Sequence, residues 1–346
     1  MDSTTQKLFL PPEWYPQDAV MLTWPHENTD WYSNLDEVTD CFLKIAREVL
    51  VRQKLIIVCA DGRSTAGLFS VSDKKNIFFV EIPVNDTWAR DHGPVFAFSG
   101  EIPLLFDFGF NGWGEKFPFD LDNRVNQELF KSGIFSKNTS YIDCNDFVFE
   151  GGSFDTNGKG TLLTTASCLL SGTRNGDMSE NQIEQYLQGK LGINRMLWLH
   201  HGSLMGDDTD GHIDTLARFC DENTIAYVQC KNQNDNHFHE LQAMEDELKQ
   251  MKNEMGEPYR LLPLPMPSPI YNDRGERLPA TYANFLIINH AVLVPLYGVA
   301  EDIAALNLLD KTFINRKIVG INCLPLIQQH GSLHCVTMQI PKGVLQ

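Results

Sequence analysis

The eight cysteines of this chain form no CxxC pair, which excludes zinc ribbons and dithiol redox motifs. Several sit inside apolar runs such as "LIIVCA" and "IAYVQC", where a thiol acts as a small hydrophobe. A reducing cytoplasm is therefore the expected compartment. No uninterrupted apolar run reaches membrane-spanning length. The greasiest stretch, "YANFLIINHAVLVPLYGVA" from Tyr282, is broken by Asn284, Asn289, His290 and Pro295 and reads as two strands. The opening "MDSTTQKLFLPPEWYP" has no apolar segment of signal-peptide length. Basic residues are scarce: 28 Lys and Arg against 45 Asp and Glu give a formal charge of −17. Such a surface repels nucleic-acid phosphates and anionic lipid and attracts small cations, so neither nucleic acid nor membrane is an expected partner. Linkers, low-complexity segments and charge blocks are also missing, so residues 1–346 are expected to form one domain.

What is present is a regular alternation of short strands and helices. In "SNLDEVTDCFLKIAREVL", Leu35, Val38, Phe42, Ile45 and Val49 make an apolar stripe behind a Ser33/Asn34 cap. Further helices are expected near Glu180, near His237 and from Val299. Between them lie β-rich runs including "AVMLTW", "LIIVCA", "TLLTT", "TIAYVQ", "AVLVPLYG" and "KIVGINC", too many for simple alternating βαβ units. Polar loops that could do chemistry recur around His26, Asp91, Glu150, His212, Asn284 and Cys335, roughly sixty residues apart. That spacing predicts an α/β module repeated about five times around an axis, with equivalent loops converging there.

Four loops carry candidate groups. In "GHID", His212 and Asp214 would share one face if extended, as the following "TLARF" favours; an inert hydrogen-bonded pair is the alternative. A calcium loop centred on Gly211 fails, because its first and twelfth positions are Gly206 and Ala217. "WARDHGP" puts Trp88, Arg90, Asp91 and His92 before a Gly-Pro turn, either as a site or as a surface ion pair. Glu150 ends the strand of "FVFEGGSF" ahead of two glycines that let backbone approach a ligand. Cys335 follows Gly331 and Ser332 at the start of "CVTMQI", as nucleophile or as filler. Taken together, a thiol, an imidazole and three carboxylates on successive loops suit a planar cation. A guanidinium would relieve the carboxylates' repulsion and offer its carbon to sulfur.

The motifs "WARDHGP", "FNGWG", "FEGGSF", "GTLLTT", "DDTDGHID", "YANFLIIN" and "GSLHCVTMQIP" occur in an order that resembles the agmatine deiminases and related bacterial peptidylarginine-deiminase-like proteins of the pentein superfamily. The resemblance implies a five-bladed α/β propeller and hydrolysis of a guanidine C–N bond, with no metal or organic cofactor. It assigns Cys335 as nucleophile, His212 as general acid and base, Glu150 as the carboxylate that orients His212 and contacts the guanidinium, and Asp91 and Asp214 as the groups that grip the guanidinium. It also implies a homo-oligomer. Two positions depart from the usual pattern beside the site: His92 stands where Thr is typical, and "QHGSLHC" replaces a Gly-rich Asn-Ile-His-Cys run.

Agmatine is the expected substrate. Trp88 offers an aromatic face, and Asp207, Asp208 and Asp210 suit an amine tail. A substrate carboxylate would need a cationic clamp, for which Arg90, Arg174 and Arg218 are the candidates. Deimination of peptidylarginine or free arginine is the nearest rival. A cysteine amidase or a non-catalytic binder of cationic metabolites stands further off.

Overall fold

The computed structural model describes residues 8–346; the opening "MDSTTQK" lies outside them. Five small sheets make up the described chain, and four follow one plan. Phe154–Thr156 and Thr161–Thr165 form an antiparallel pair, helix Glu180–Leu191 crosses over, and Arg195–Leu199 returns parallel to the middle strand. The same order is built from Ala217–Asp221, Thr224–Gln229, helix Phe238–Gln250 and Arg260–Pro265. It recurs with Leu286–Ile288, Ala291–Leu296, helix Glu301–Thr312 and Lys317–Asn322. In the first sheet, Val95–Ser99 and Ile102–Gly109 form the hairpin, helix Val125–Lys131 crosses over and Ser140–Val148 returns. The expected module is therefore a hairpin plus one parallel crossover, which explains why strands outnumber helices.

The fifth sheet joins the two ends of the chain. Thr337–Pro341 lies antiparallel to Gln17–Thr23, which continues parallel to Lys54–Cys59 and Ile77–Glu81. The central strands are covered on both faces, so "AVML" and "LIIVC" read as unbroken apolar runs. Helix Leu35–Leu50 buries Val38, Cys41, Phe42, Ile45, Ala46 and Val49 along its stripe. Asn34 is its N-cap as expected, but the side chain makes no capping bond; it donates instead to the Pro325 carbonyl at 3.4 Å. All eight cysteines are buried and unpaired. Among the described residues, no helix is long and apolar enough to cross a membrane.

Two local readings are corrected. "GHID" is not extended: Ile213–Thr215 is a 3-10 turn, entered from Gly211 at φ +86° and closed by the Thr215 amide donating to the His212 carbonyl at 3.2 Å. "WARDH" is not a surface turn but a buried helical turn, Ala89–His92. A regularity accounts for both. The turn at Ala89–His92 precedes Val95–Ser99, Gly151–Ser153 precedes Phe154–Thr156, and Ile213–Thr215 precedes Ala217–Asp221. Residues 281–284 and 333–336 stand likewise before Leu286–Ile288 and Thr337–Pro341. Each functional loop thus leads into the first strand of a sheet, an equivalent place in all five modules.

Candidate active site

Three of these loops, those of Asp91, His212–Thr215 and Cys335, line a cavity of about 140 Å³, and Gly152 and Asn284 bring the other two up against them. Asp30, Asp86, Asp91, Asp207, Asp208 and Asp214 line it with Trp88, Trp113, Phe117, His212, His330 and Cys335, and among the described residues no Lys or Arg stands in the wall. Gly152 marks the point of closest approach. A Cβ there would lie 2.6 Å from His212 Nδ1, 2.7 Å from Asp91 Oδ1 and 3.3 Å from Asp214 Oδ2. Only glycine admits that convergence, and its amide donates to Asp91 Oδ1 at 3.0 Å.

Asp91 is buried, with Oδ2 accepting from Trp113 Nε1 at 3.0 Å and Oδ1 standing 3.5 Å from His212 Nδ1. Burial pushes its pKa up to about 6; Asp214 and Glu150 add to the shift, while His212 and Trp113 oppose it. His212 is buried as well, which favours the neutral ring, yet Asp91, Cys168 and Glu150 hold its pKa well above the ordinary range. It therefore enters as an imidazolium, ready to give a proton. Asp214 is the opposite of Asp91. Burial would raise it, but His334, His212 and Arg218 outweigh that and lower it. Its Oδ2 accepts from His334 Nδ1 at 2.7 Å, while Oδ1 is buried without a hydrogen-bond partner among the described residues. A buried carboxylate oxygen left free is a waiting acceptor.

Cys335 is 7% exposed, with Sγ 3.3 Å from Asn284 Nδ2 and 3.7 Å from Asp214 Oδ2. Burial, then Asp214 and Asp91, push its thiol well above the usual value. A cation placed between those two carboxylates removes the repulsion that keeps sulfur protonated, so arrival of the ligand would favour the thiolate.

Glu150 stands one layer back from the cavity wall. It is fully buried, 3.9 Å from His212 Nε2, and accepts from Arg174 Nε at 2.8 and 3.1 Å. Arg174 continues to Asp210 at 2.7 Å, which Lys116 reaches at 2.6 Å. Glu150, Cys168 and His212 bring possible metal ligands within 4.8 Å of one another. The guanidinium already on Glu150 places a fixed positive charge there, which disfavours a bound metal ion.

Trp88 and Asp208 line the cavity, and Trp88 Nε1 donates to Asp86 at 2.9 Å. Of the three candidate clamps, Arg174 is spent on Glu150 and Asp210. Arg218 is spent on Glu13 and Asp155 at 2.9 Å each, and Arg90 on Gln339 at 2.6 Å and Glu13 at 3.4 Å. His92 turns away to Thr23 at 2.8 Å, and burial lowers its pKa to about 3. Sequence reasoning missed the roles of Trp113, Asn284, His334 and Glu13. Trp113, at φ +56° inside "NGWG", carried a signal in its flanking glycines; Glu13 carried none.

Residues 9–341 match the model of the Porphyromonas-type peptidyl-arginine deiminase family. A solved structure from Porphyromonas gingivalis, provisionally designated an arginine deiminase, is 49% identical with a TM-score of 0.95, covering 98% of this chain and 100% of that one. The agmatine deiminase of C. jejuni, solved as a Cys-to-Ser form with substrate bound, is 38% identical with a TM-score of 0.90, covering 98% and 97%. A Legionella pneumophila (strain Paris) protein, provisionally named an agmatine deiminase, is 32% identical over 97% of this chain and 96% of its own.

Proposed function

The chain belongs to the Porphyromonas-type peptidyl-arginine deiminase family, and from that premise we propose that it hydrolyses agmatine to N-carbamoylputrescine and ammonia. The observation that carries the choice of substrate is the cavity wall: six aspartates and, among the described residues, no Lys or Arg. An amine tail is welcome there, and a substrate carboxylate finds neither Lys nor Arg to clamp it. The agmatine deiminase of C. jejuni, with substrate bound, has the same fold along nearly its whole length.

In this reading Asp91 and Asp214 take the guanidinium nitrogens. Cys335 gives its proton to solvent as the cation arrives, and its sulfur bonds to the guanidinium carbon. The tetrahedral adduct breaks its C–N bond as His212 protonates the leaving nitrogen, which departs as ammonia. His212, now neutral, removes a proton from water as that water attacks the amidino carbon. Collapse of the second adduct breaks the S–C bond and restores the thiol. Glu150, fixed by Arg174, keeps His212 oriented and favours its charged form. Trp88 and Asp208 line the substrate's path. No step calls for a metal or an organic cofactor.

One catalytic domain spans the chain in this reading, and a cytoplasmic location accords with eight unpaired thiols. The homo-oligomer carried over from the resemblance is open to light scattering. The test of function is a comparison of substrates. The purified protein is given agmatine, free arginine, a blocked arginyl peptide with free or amidated C-terminus, and a simple amide, and ureido product and ammonia are measured. Agmatine should be turned over with the highest kcat/KM. Preference for arginine or the free-acid peptide overturns the choice of substrate, and turnover of the amide alone overturns the deiminase reading.

A further inference from the structure

We propose that His334 is a positioning residue of this site: as an imidazolium it holds the Asp214 carboxylate charged and fixed in orientation beside Cys335. The ring is buried, and both of its nitrogens face carboxylates, Nδ1 at 2.7 Å from Asp214 Oδ2 and Nε2 at 2.6 Å from Glu13 Oε2. An ionised carboxylate only accepts hydrogen bonds, so two such neighbours require both ring nitrogens to donate.

The alternative places a proton on Glu13, and the surroundings of Glu13 oppose it. Oε1 accepts from the Ile287 amide at 2.6 Å, and Oε2 meets Arg218 Nη2 at 2.9 Å and Arg90 Nη2 at 3.4 Å. Burial would raise the pKa of Glu13, but Arg218, His334 and Arg90 together hold it far below the carboxylate range. With Asp155, which accepts from Arg218 Nε at 2.9 Å, the buried group holds three carboxylates and three cations once His334 is counted. His212 and Asp91 face Asp214 from the cavity side.

The backbone holds the ring in place. The His334 amide donates to Asn284 Oδ1 at 2.8 Å, and the same Asn284 reaches Cys335 Sγ at 3.3 Å. One loop therefore supplies the sulfur and, through the preceding side chain, sets the carboxylate beside it. Oδ2, the oxygen that His334 holds, is also the one 3.7 Å from Cys335 Sγ, so the ring fixes the carboxylate edge that stands beside the sulfur. Because the imidazolium stabilises the anion, Asp214 stays charged at pH values where Asp91 is already half protonated.

This inference rests on the deiminase reading, and the test separates the two. In His334→Gln, kcat/KM for agmatine should fall about 10- to 100-fold, the size of one charge-assisted hydrogen bond. Most of the loss should appear in KM. The acid limb of kcat/KM should also move to higher pH, since Asp214 loses its cation. Glu13→Gln should move the limb in the same direction by less. In the wild-type protein, 15N ring shifts should show, besides that of His212, a doubly protonated ring whose signal is missing from the His334→Gln spectrum. A folded His334→Gln with an unmoved acid limb overturns the proposal, even if stability falls. A neutral ring overturns it too. If His334→Gln does not fold, the Glu13→Gln profile and the wild-type ring spectrum decide by the same criteria. If the wild type does not turn over agmatine, the functional reading fails while the ring spectrum still reports the charge on His334.

Discussion

Two charged clusters meet at Asp214, and they differ in how far they satisfy themselves. Behind it, Glu13, Asp155, Arg90, Arg218 and His334 are all buried and joined to one another by short contacts. In front of it, Asp91, His212 and Cys335 are equally buried, yet Asp91 is pushed up to about 6, the thiol is raised and Asp214 Oδ1 has no partner among the described residues. The rear cluster resembles a finished structural network, its charges balanced within the protein. The front cluster is balanced only when a cation joins it. Burial alone does not distinguish a site from a scaffold; here the distinction is buried charge left unbalanced around a cavity.

The contrast is open to attack at both ends. Replacing Cys335 with Ser should cut agmatine turnover by about a thousandfold or more while leaving the unfolding free energy within about 0.5 kcal/mol. Residual activity within tenfold of wild type would deny sulfur its role. Arg218→Met should do the reverse first. It strands Asp155, takes from Glu13 one of its three cations, and should cost about 3–5 kcal/mol in urea unfolding. Unchanged stability would show the rear cluster to be something other than scaffold.

Smaller effects sharpen the picture of the front cluster. The anion of Asp91 is the working form, and its raised pKa means that this form is lost as pH falls through about 6. kcat/KM, which reports the free enzyme, should drop about tenfold per pH unit below that point; a profile flat to pH 5 would contradict it. Trp113→Phe removes the indole N–H from Asp91 Oδ2. That should raise the acid limb further and lower kcat/KM about three- to tenfold, the weight of one hydrogen bond.

Much of this was legible in the chain as written. "TLLTT" is the strand Thr161–Thr165, and the apolar stripe from Leu35 becomes helix Leu35–Leu50. The roughly sixty-residue rhythm of polar loops corresponds to five sheets, each entered through one such loop. "GHID" misled because alternation predicts extension, whereas Gly211 at positive φ starts a tight turn that aims both side chains at the cavity. The hairpin strand Val95–Ser99 is as long as Thr161–Thr165, but it follows a Gly-Pro pair, a turn signal that masks its start.

By itself the sequence determined the secondary elements, the modular rhythm and the loops that carry reactive groups, because hydrophobic periodicity and turn chemistry act over a few residues. Only the tertiary structure decided which charges are spent and which are left to act. Glu13 and His334 are 321 positions apart, and through the ring their contact reaches the Asp214 carboxylate beside Cys335. Desolvation and pairing depend on neighbours in space, and no local pattern records who those neighbours are.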